Sequence, residues 1–223
     1  MSAPMSDPGC RLYLITPPRV DDVDAFAAAA REAFAGGDVA CLQIRLKTPD
    51  GVAAPDAHVA AVYGAVAPLA RDAGAAVLIN DRPDLAEALG ADGVHIGQAD
   101  ASLKDARARL GPEASIGVTC HASIDLAFAA GEGGADYVAF GAFFDTATKA
   151  APTRAEPDLL ARWSAMTVVP CVAIGGITPS NCAPLVQAGA DFLAVSSAVW
   201  DAQEGPRAVV AAFAAAVDAA TRA

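Results

Sequence analysis

Leu78-Ile79-Asn80-Asp81-Arg82-Pro83 and Val94-His95-Ile96-Gly97-Gln98-Ala99-Asp100 decide how this chain is read. Each is an apolar run that ends in a polar cluster containing an aspartate. Between them, Pro83 to Leu89 suits a short helix stopped by Gly90. The unit is therefore strand, helix, strand. As neighbouring parallel strands the two runs would end about 5 Å apart. Asp81 and Asp100 would then converge at one rim.

The same unit recurs on both sides. Leu12–Ile15 reads as a buried strand stopped by Thr16-Pro17-Pro18, and Asp22–Ala35 as an alanine-rich helix ended by Gly36-Gly37. Val39–Ile44 is a second strand. Polar residues 45–55 follow, then a helix over Asp56–Ala73 with Gly74 as its stop. Strands are expected at Ala76–Ile79, Gly93–Ile96, Ser115–Val118, Tyr137–Phe140, Val168–Ile174 and Phe192–Val195. Helices are expected at Pro83–Leu89, Ser102–Leu110, Ser123–Glu132, Asp158–Ser164, Pro179–Ala188 and Pro206–Thr221. Residues 1–10 show no periodicity and read as a flexible tail, which leaves 11–223 as one domain. Short apolar strands of this kind are expected where both faces of a parallel sheet are covered. Eight strand-helix units in 223 residues fit a (β/α)8 TIM barrel, an α/β fold, better than an open sheet. No Gly-x-Gly-x-x-Gly follows the first strand, so a dinucleotide site is disfavoured. Gly90-Ala91-Asp92, Gly134-Ala135-Asp136 and Gly189-Ala190-Asp191, with Gly37-Asp38 as a fainter echo, read as turn chemistry at the face opposite the active loops.

Composition narrows the function. With 15 basic and 26 acidic residues the net charge is −11, which argues against nucleic-acid or anionic-membrane binding. No apolar run reaches the roughly 18 residues of a membrane span, and Met1 to Gly9 lacks a signal-peptide core, so a cytoplasmic protein is expected. The five cysteines show no Cys-x-x-Cys spacing and read as free thiols. Homo-oligomerisation stays open.

In a barrel the loops after the strands carry function. After the second strand, alternation puts Gln43, Arg45 and Lys47 on one side and Ile44 and Leu46 on the other; the two cations make a phosphate clamp or a solvated rim. Asp81 and Asp100 are either helix caps or a metal pair. A magnesium ion between them would reverse the repulsion that bare carboxylates exert on a polyphosphate, and magnesium typically takes one or two carboxylates plus phosphate and water oxygens. After the fifth strand, Thr119 offers a hydroxyl, Cys120 a thiol and His121 a proton shuttle. His95 reads as a satisfied core residue and His58 as exposed helix. The long connection from Gly141 to Pro157, with Asp145-Thr146-Ala147-Thr148-Lys149, reads as a lid. Gly175-Gly176 before a helix starting at Pro179, together with Ser196-Ser197, reads as a backbone phosphate site. Two anion sites imply two phosphorylated small-molecule substrates.

These residues resemble the thiamine-phosphate synthase family over nearly the whole chain. The matching motifs are Leu12-Tyr13-Leu14-Ile15-Thr16, Gln43-x-Arg45-x-Lys47, Leu78-Ile79-Asn80-Asp81-Arg82, Gly90-Ala91-Asp92-Gly93-Val94-His95-Ile96-Gly97-Gln98-x-Asp100, Ile116-Gly117-Val118-Thr119, Thr146-x-Thr148-Lys149, Ala173-Ile174-Gly175-Gly176-Ile177 and Ser197-Ala198. The resemblance implies condensation of 4-amino-2-methyl-5-hydroxymethylpyrimidine diphosphate with a thiazole phosphate, releasing pyrophosphate. It implies that Gln43, Ile44, Arg45, Leu46, Lys47, Asn80, Thr119 and Lys149 hold the pyrimidine diphosphate, and that Asp81 and Asp100 bind Mg2+. Thr146, Ala147, Thr148, Gly176, Ser196 and Ser197 would hold the thiazole phosphate. Arg45, Lys47, Lys149 and Thr119 would carry catalysis. The chain departs from the family pattern at Ala99, where a second acidic residue is common, at Thr119, which replaces a serine, and at Asp145, which replaces a proline. Residues 155–158 lack the family's Gly-Leu. Two rival readings are a thiazole tautomerase using His121 and a non-catalytic phosphate-ligand-binding barrel.

Overall fold

The computed structural model describes residues 9–48, 52–145 and 154–223. The strands are β1 (Arg11–Ile15), β2 (Val39–Ile44), β3 (Ala76–Asn80), β4 (Gly93–Ile96), β5 (Ser115–His121), β6 (Tyr137–Gly141), β7 (Cys171–Ile174) and β8 (Phe192–Val195). They close in sequence order into a parallel barrel, with β8 pairing back onto β1. The helices are α1 (Val23–Phe34), α2 (Asp56–Asp72), α3 (Pro83–Leu89), α4 (Leu103–Leu110), α5 (Ile124–Glu132), α6 (Pro157–Met166), α7 (Ala183–Gln187), α8 (Ser197–Trp200) and α9 (Pro206–Thr221). The expected (β/α)8 architecture is therefore present.

Local chemistry explains most boundaries. Asp22, Ser102 and Ser123 accept hydrogen bonds from Ala25, Asp105 and Leu126 N–H and so start α1, α4 and α5. Apolar residues divide into two layers. Leu14, Leu42, Ile79, Ile116 and Phe140 join the large core between strands and helices, while Tyr13, Ile15, Cys41, Leu78, Tyr137 and Val172 form a smaller cluster inside the barrel.

The Gly-Ala-Asp turns act as expected and do more. Gly90, Gly134 and Gly189 each have positive φ. The aspartates that follow accept an N–H group from the first two residues of the preceding strand: Asp92 from Val77, Asp136 from Ile116 and Asp191 from Cys171. Asp38 instead takes the Arg11 guanidinium at 2.7 Å. Each carboxylate satisfies a donor that the barrel ladder leaves open at the face away from the active loops.

Three expectations need correction. The strand expected over Val168–Ile174 begins only at Cys171, and Val168 is 98% exposed. Thr167 Oγ1 takes the Val169 N–H and the Trp163 indole donates to Val169 O, so these residues form a side-chain-held turn before Pro170. The helix expected over Pro179–Ala188 shrinks to Ala183–Gln187, because Asn181 accepts the Thr178 N–H and donates to Gly176 O. Such side-chain bonds compete with helix. β5 runs through His121, three residues beyond the expected end at Val118.

Removing one turn carboxylate should cost stability without touching chemistry. Asp191→Ala leaves the Cys171 N–H without its acceptor, a loss of about 1–2 kcal/mol, and should lower Tm by roughly 3–6 °C with kcat/KM unchanged. Thermal melts and steady-state assays check this; an unshifted Tm would contradict the role given to these aspartates.

Candidate active site

Register builds the rim. Asn80 of β3 stands opposite His95 of β4, and the Asp81 N–H continues the ladder by donating to His95 O at 2.8 Å. Asp81 has φ of 62°, a left-handed conformation uncommon for a residue with a side chain. Neither aspartate caps a helix. α3 starts after Arg82, whose guanidinium grips Asp84 and Asp56, and α4 is capped by Ser102. Asp100 folds back so that its Oδ2 accepts the Gly97 N–H at 2.9 Å. A Cβ on Gly97 would lie 2.6 Å from that oxygen, so any side chain here would push the Asp100 carboxylate out of this position.

The two carboxyl groups meet within hydrogen-bonding contact, and the Asp81 carboxyl is pushed up to about 6. Burial is the largest cause and Asp100 the next; Lys47 and Asn80 pull the other way. Lys47 Nζ stands 4.0 Å from Asp81 Oδ2. Among the described residues no group of three His, Cys, Asp or Glu side chains forms. A half-buried carboxylate, Asp81, beside an exposed one, Asp100, fits magnesium, whose remaining positions go to water and phosphate oxygens. It fits zinc poorly, because structural and catalytic zinc usually draws three or four protein ligands, mostly nitrogen and sulfur.

The end of β2 is divided as alternation predicts. Ile44 and Leu46 are buried in the outer core, so only their backbone can meet a ligand. Gln43 turns inward and is also buried, while Arg45 and Lys47 are half-buried at the rim. Thr16, 1% exposed, ties three strand ends together. Its N–H donates to Gln43 O, its Oγ1 accepts the Arg45 N–H, and its carbonyl accepts from Ser196 Oγ. The Trp200 indole adds a 2.6 Å bond to Ile15 O.

Thr119 sits half-buried at the end of β5, its hydroxyl 2.8 Å from His95 Nε2. His95 is buried, as expected, but it links Thr119 to Tyr137, and Tyr137 contacts Tyr13 at 3.0 Å. Sequence reasoning gave neither tyrosine a part in the site. The available signal was a phenol placed inside an apolar strand, since a buried tyrosine hydroxyl usually finds a partner. Cys120 is fully buried with its thiol pushed up to about 12 by burial, which removes it as a nucleophile. His121, at φ 52°, lies at an irregularity where β5 meets β6.

Across the rim, the Gly175-Gly176 turn seats the start of the β6 loop. Phe143 and Phe144 N–H donate to Ile174 and Gly175 carbonyls. Both glycines have positive φ, and a Cβ on either would strike residues 142–145. The turn leads into Asn181 rather than a helix at Pro179, so the expected helix N-terminus is replaced by a side-chain-held loop. Ser196 is half-buried, and exposed Ser197 opens the four-residue α8. Thr146, Ala147, Thr148 and Lys149 lie outside the described residues. Asp145 just before them is exposed and faces Arg154 at 3.5 Å.

The chain is similar to known proteins over most of its length. A family profile described as "Thiamine monophosphate synthase" matches residues 12–199. The "Thiamine-phosphate synthase" of Hyphomonas neptunium is 56% identical over 206 residues, covering 92% of this chain and 93% of that protein. That of Rhodospirillum centenum is 53% identical, covering 92% and 96%. Among solved structures, "Thiamine phosphate pyrophosphorylase from Pyrococcus furiosus" superposes with a TM-score of 0.80 at 30% identity, covering 94% of this chain and 96% of that one.

The carboxylate pair sets a pH-dependent strain. A carboxyl whose folded pKa is raised from 3.8 to about 6 penalises the fold above pH 6, and the penalty vanishes below about pH 4. Allowing for partial exposure, Asp81→Asn should stabilise the metal-free protein by about 1–2 kcal/mol at pH 7.5. The gain should disappear near pH 4. Thermal melts across this range check it; a lower Tm for the variant at pH 7.5 would contradict the like-charge picture.

Proposed function

The chain belongs to the thiamine monophosphate synthase family, and on that premise we propose how its barrel rim carries out the reaction. The protein is a transferase that forms thiamine phosphate. In the proposed arrangement, 4-amino-2-methyl-5-hydroxymethylpyrimidine diphosphate lies over β2 to β5. Gln43, the backbone of Ile44 and Leu46, Arg45, Lys47, Asn80, Thr119 and Lys149 hold it. Asp81 and Asp100 hold Mg2+, and the thiazole phosphate occupies Thr146, Ala147, Thr148, Gly176, Ser196 and Ser197.

The observation that carries this reading is the Asp81–Asp100 pair with Lys47 beside it. A protein of net charge −11 needs local positive charge to receive a diphosphate. Bound between the aspartates, Mg2+ would supply that charge and shield the phosphates from the carboxylates. Arg45 and Lys47 line the same strand end, where they stabilise the charge that grows on the departing pyrophosphate. The pyrimidine methylene C–O bond breaks with its electron pair leaving on pyrophosphate. The ring-stabilised methylene cation is then captured by the thiazole nitrogen lone pair, which closes the new C–N bond. No protein nucleophile is needed, consistent with the high thiol pKa of Cys120. The thiazole subsite uses hydroxyls and backbone rather than cations, which suits a monophosphate that must approach without competing for the diphosphate clamp.

The test mixes both substrates with and without Mg2+ and measures pyrophosphate and thiamine phosphate together. Equal amounts of both products, dependent on Mg2+, are expected. Asp81→Ala and Asp100→Ala should each cut turnover by about 100-fold or more with the fold intact by circular dichroism. Normal Mg2+ dependence in both variants would refute the metal assignment. Absence of thiamine phosphate at every metal concentration would overturn the whole reading.

A further inference from the structure

Arg82 follows Asp81 directly, yet none of the chemistry above uses it. Its guanidinium is engaged by two carboxylates at once. Nε and Nη2 donate to Asp84 at 2.8 and 2.7 Å, and Nη1 and Nη2 donate to Asp56 at 2.9 and 3.0 Å. Asp56 opens α2 and Asp84 lies in the first turn of α3. One planar fork therefore fastens the starts of two helices to each other, across 26 positions of sequence. Two negative charges already surround this cation, which makes it a poor ligand for a diphosphate and a good clamp.

What lies on each side of the clamp gives it a role. The Asp81 N–H is fixed on His95 O, and the chain then passes through Asp81 at φ 62°. A left-handed residue with a side chain persists where its surroundings over-determine it. The bond to His95 fixes the entry to this corner. Arg82 fixes the exit, because α3 begins at the next residue, Pro83. On the other side, Asp56 stands at the end of the connection that carries Lys47. The Lys47 N–H donates to Pro18 O, Lys47 bridges Ala53, and the Ala54 N–H donates to Leu46 O. The Lys47 segment and the residues leading into Asp56 thus run side by side. Arg82 ties Asp81 and Lys47, whose charged groups stand 4.0 Å apart, to a common base.

We propose that Arg82 is a positioning residue for the metal site: its grip on Asp56 and Asp84 holds the Asp81 corner and the Lys47 connection at the spacing that Mg2+ and a diphosphate require. This rests on the reading above that Asp81 and Asp100 hold Mg2+. Lysine cannot take its place, because an ammonium is a point charge without the planar fork that engages two carboxylates. The cluster is exposed, and exposed ion pairs contribute little to stability. Loss of the grip therefore shows in metal affinity rather than in Tm. Groups that orient metal ligands typically change metal affinity or activity by about 10- to 100-fold.

The test is a calorimetric titration of pyrophosphate in Mg2+ into wild-type protein, Arg82→Lys and Asp56→Ala, beside steady-state assays. Arg82→Lys keeps the charge and loses the fork; Asp56→Ala keeps the fork and loses one partner. Both are expected to weaken binding of the Mg2+–pyrophosphate complex, Arg82→Lys by about 10-fold or more. Both should also raise the Mg2+ concentration needed for half-maximal turnover, with Tm and KM for the thiazole phosphate unchanged. A cluster acting only through its charge would leave Arg82→Lys like wild type, and Asp56→Ala, having lost a negative charge, would bind the anionic complex more tightly. Either result would overturn the proposal, as would an equal rise in KM for both substrates, the mark of a merely structural role. Failure of the metal reading looks different: wild-type protein would then bind pyrophosphate equally in Mg2+ and in chelator.

Discussion

Asp81 and Asp100 are like charges brought together by the register of β3 on β4 and by the missing side chain of Gly97. Burial raises the Asp81 carboxyl most and Asp100 beside it adds to the rise, so Asp81 holds its proton up to about pH 6. Lys47 at 4.0 Å offsets only part of the repulsion. The rim is therefore poised for a cation, and the proposed magnesium ion turns an electrostatic cost into the means of receiving a diphosphate. The same carboxylate accepts from Asn80 Nδ2, and Asn80 Oδ1 accepts from Gln43 Nε2, so neighbouring polar groups at the rim are tied to it as well.

The fold separates stability from chemistry by face. At one end of the barrel, Asp92, Asp136 and Asp191 are spent on strand N–H groups. At the other end, Asp81 and Asp100 are left facing each other. Thr16 and Trp200 fasten β1, β2 and β8 beneath the mouth, so that Arg45 and Ser196 emerge from a fixed base. The exposed Asp145, a departure from the family pattern, is met by Arg154, which reduces its negative charge beside the proposed thiazole-phosphate loop.

Much of this was legible in the sequence because it is local. The bounds of α3, β4 and α9 follow from Gly or Pro at their ends, and those of β2 and β8 from apolar runs that stop at Arg45 and Ser196. The convergence of Asp81 and Asp100 needed only the assumption that their strands are neighbours. What escaped was non-local. A β-branched run at Val168-Val169 looks like strand whether or not a ladder reaches it, and here Thr167 holds it in a turn. Asn181 shortens α7 through a bond to Gly176 that periodicity does not register. Tyr13, His95 and Tyr137 lie on separate strands that are apolar on both faces, so alternation does not say which residues point inward. Their meeting depends on barrel closure and on Gly117.

The most direct test is a calorimetric titration of the wild-type protein with inorganic pyrophosphate, once with Mg2+ and once in chelator. If the carboxylate pair works through a bound cation, pyrophosphate binds with Mg2+ present and binding falls by about 100-fold or more in chelator. Equal affinity in both solutions would contradict it, because Arg45 and Lys47 would then suffice and the opposition of Asp81 and Asp100 would have no role in the reaction.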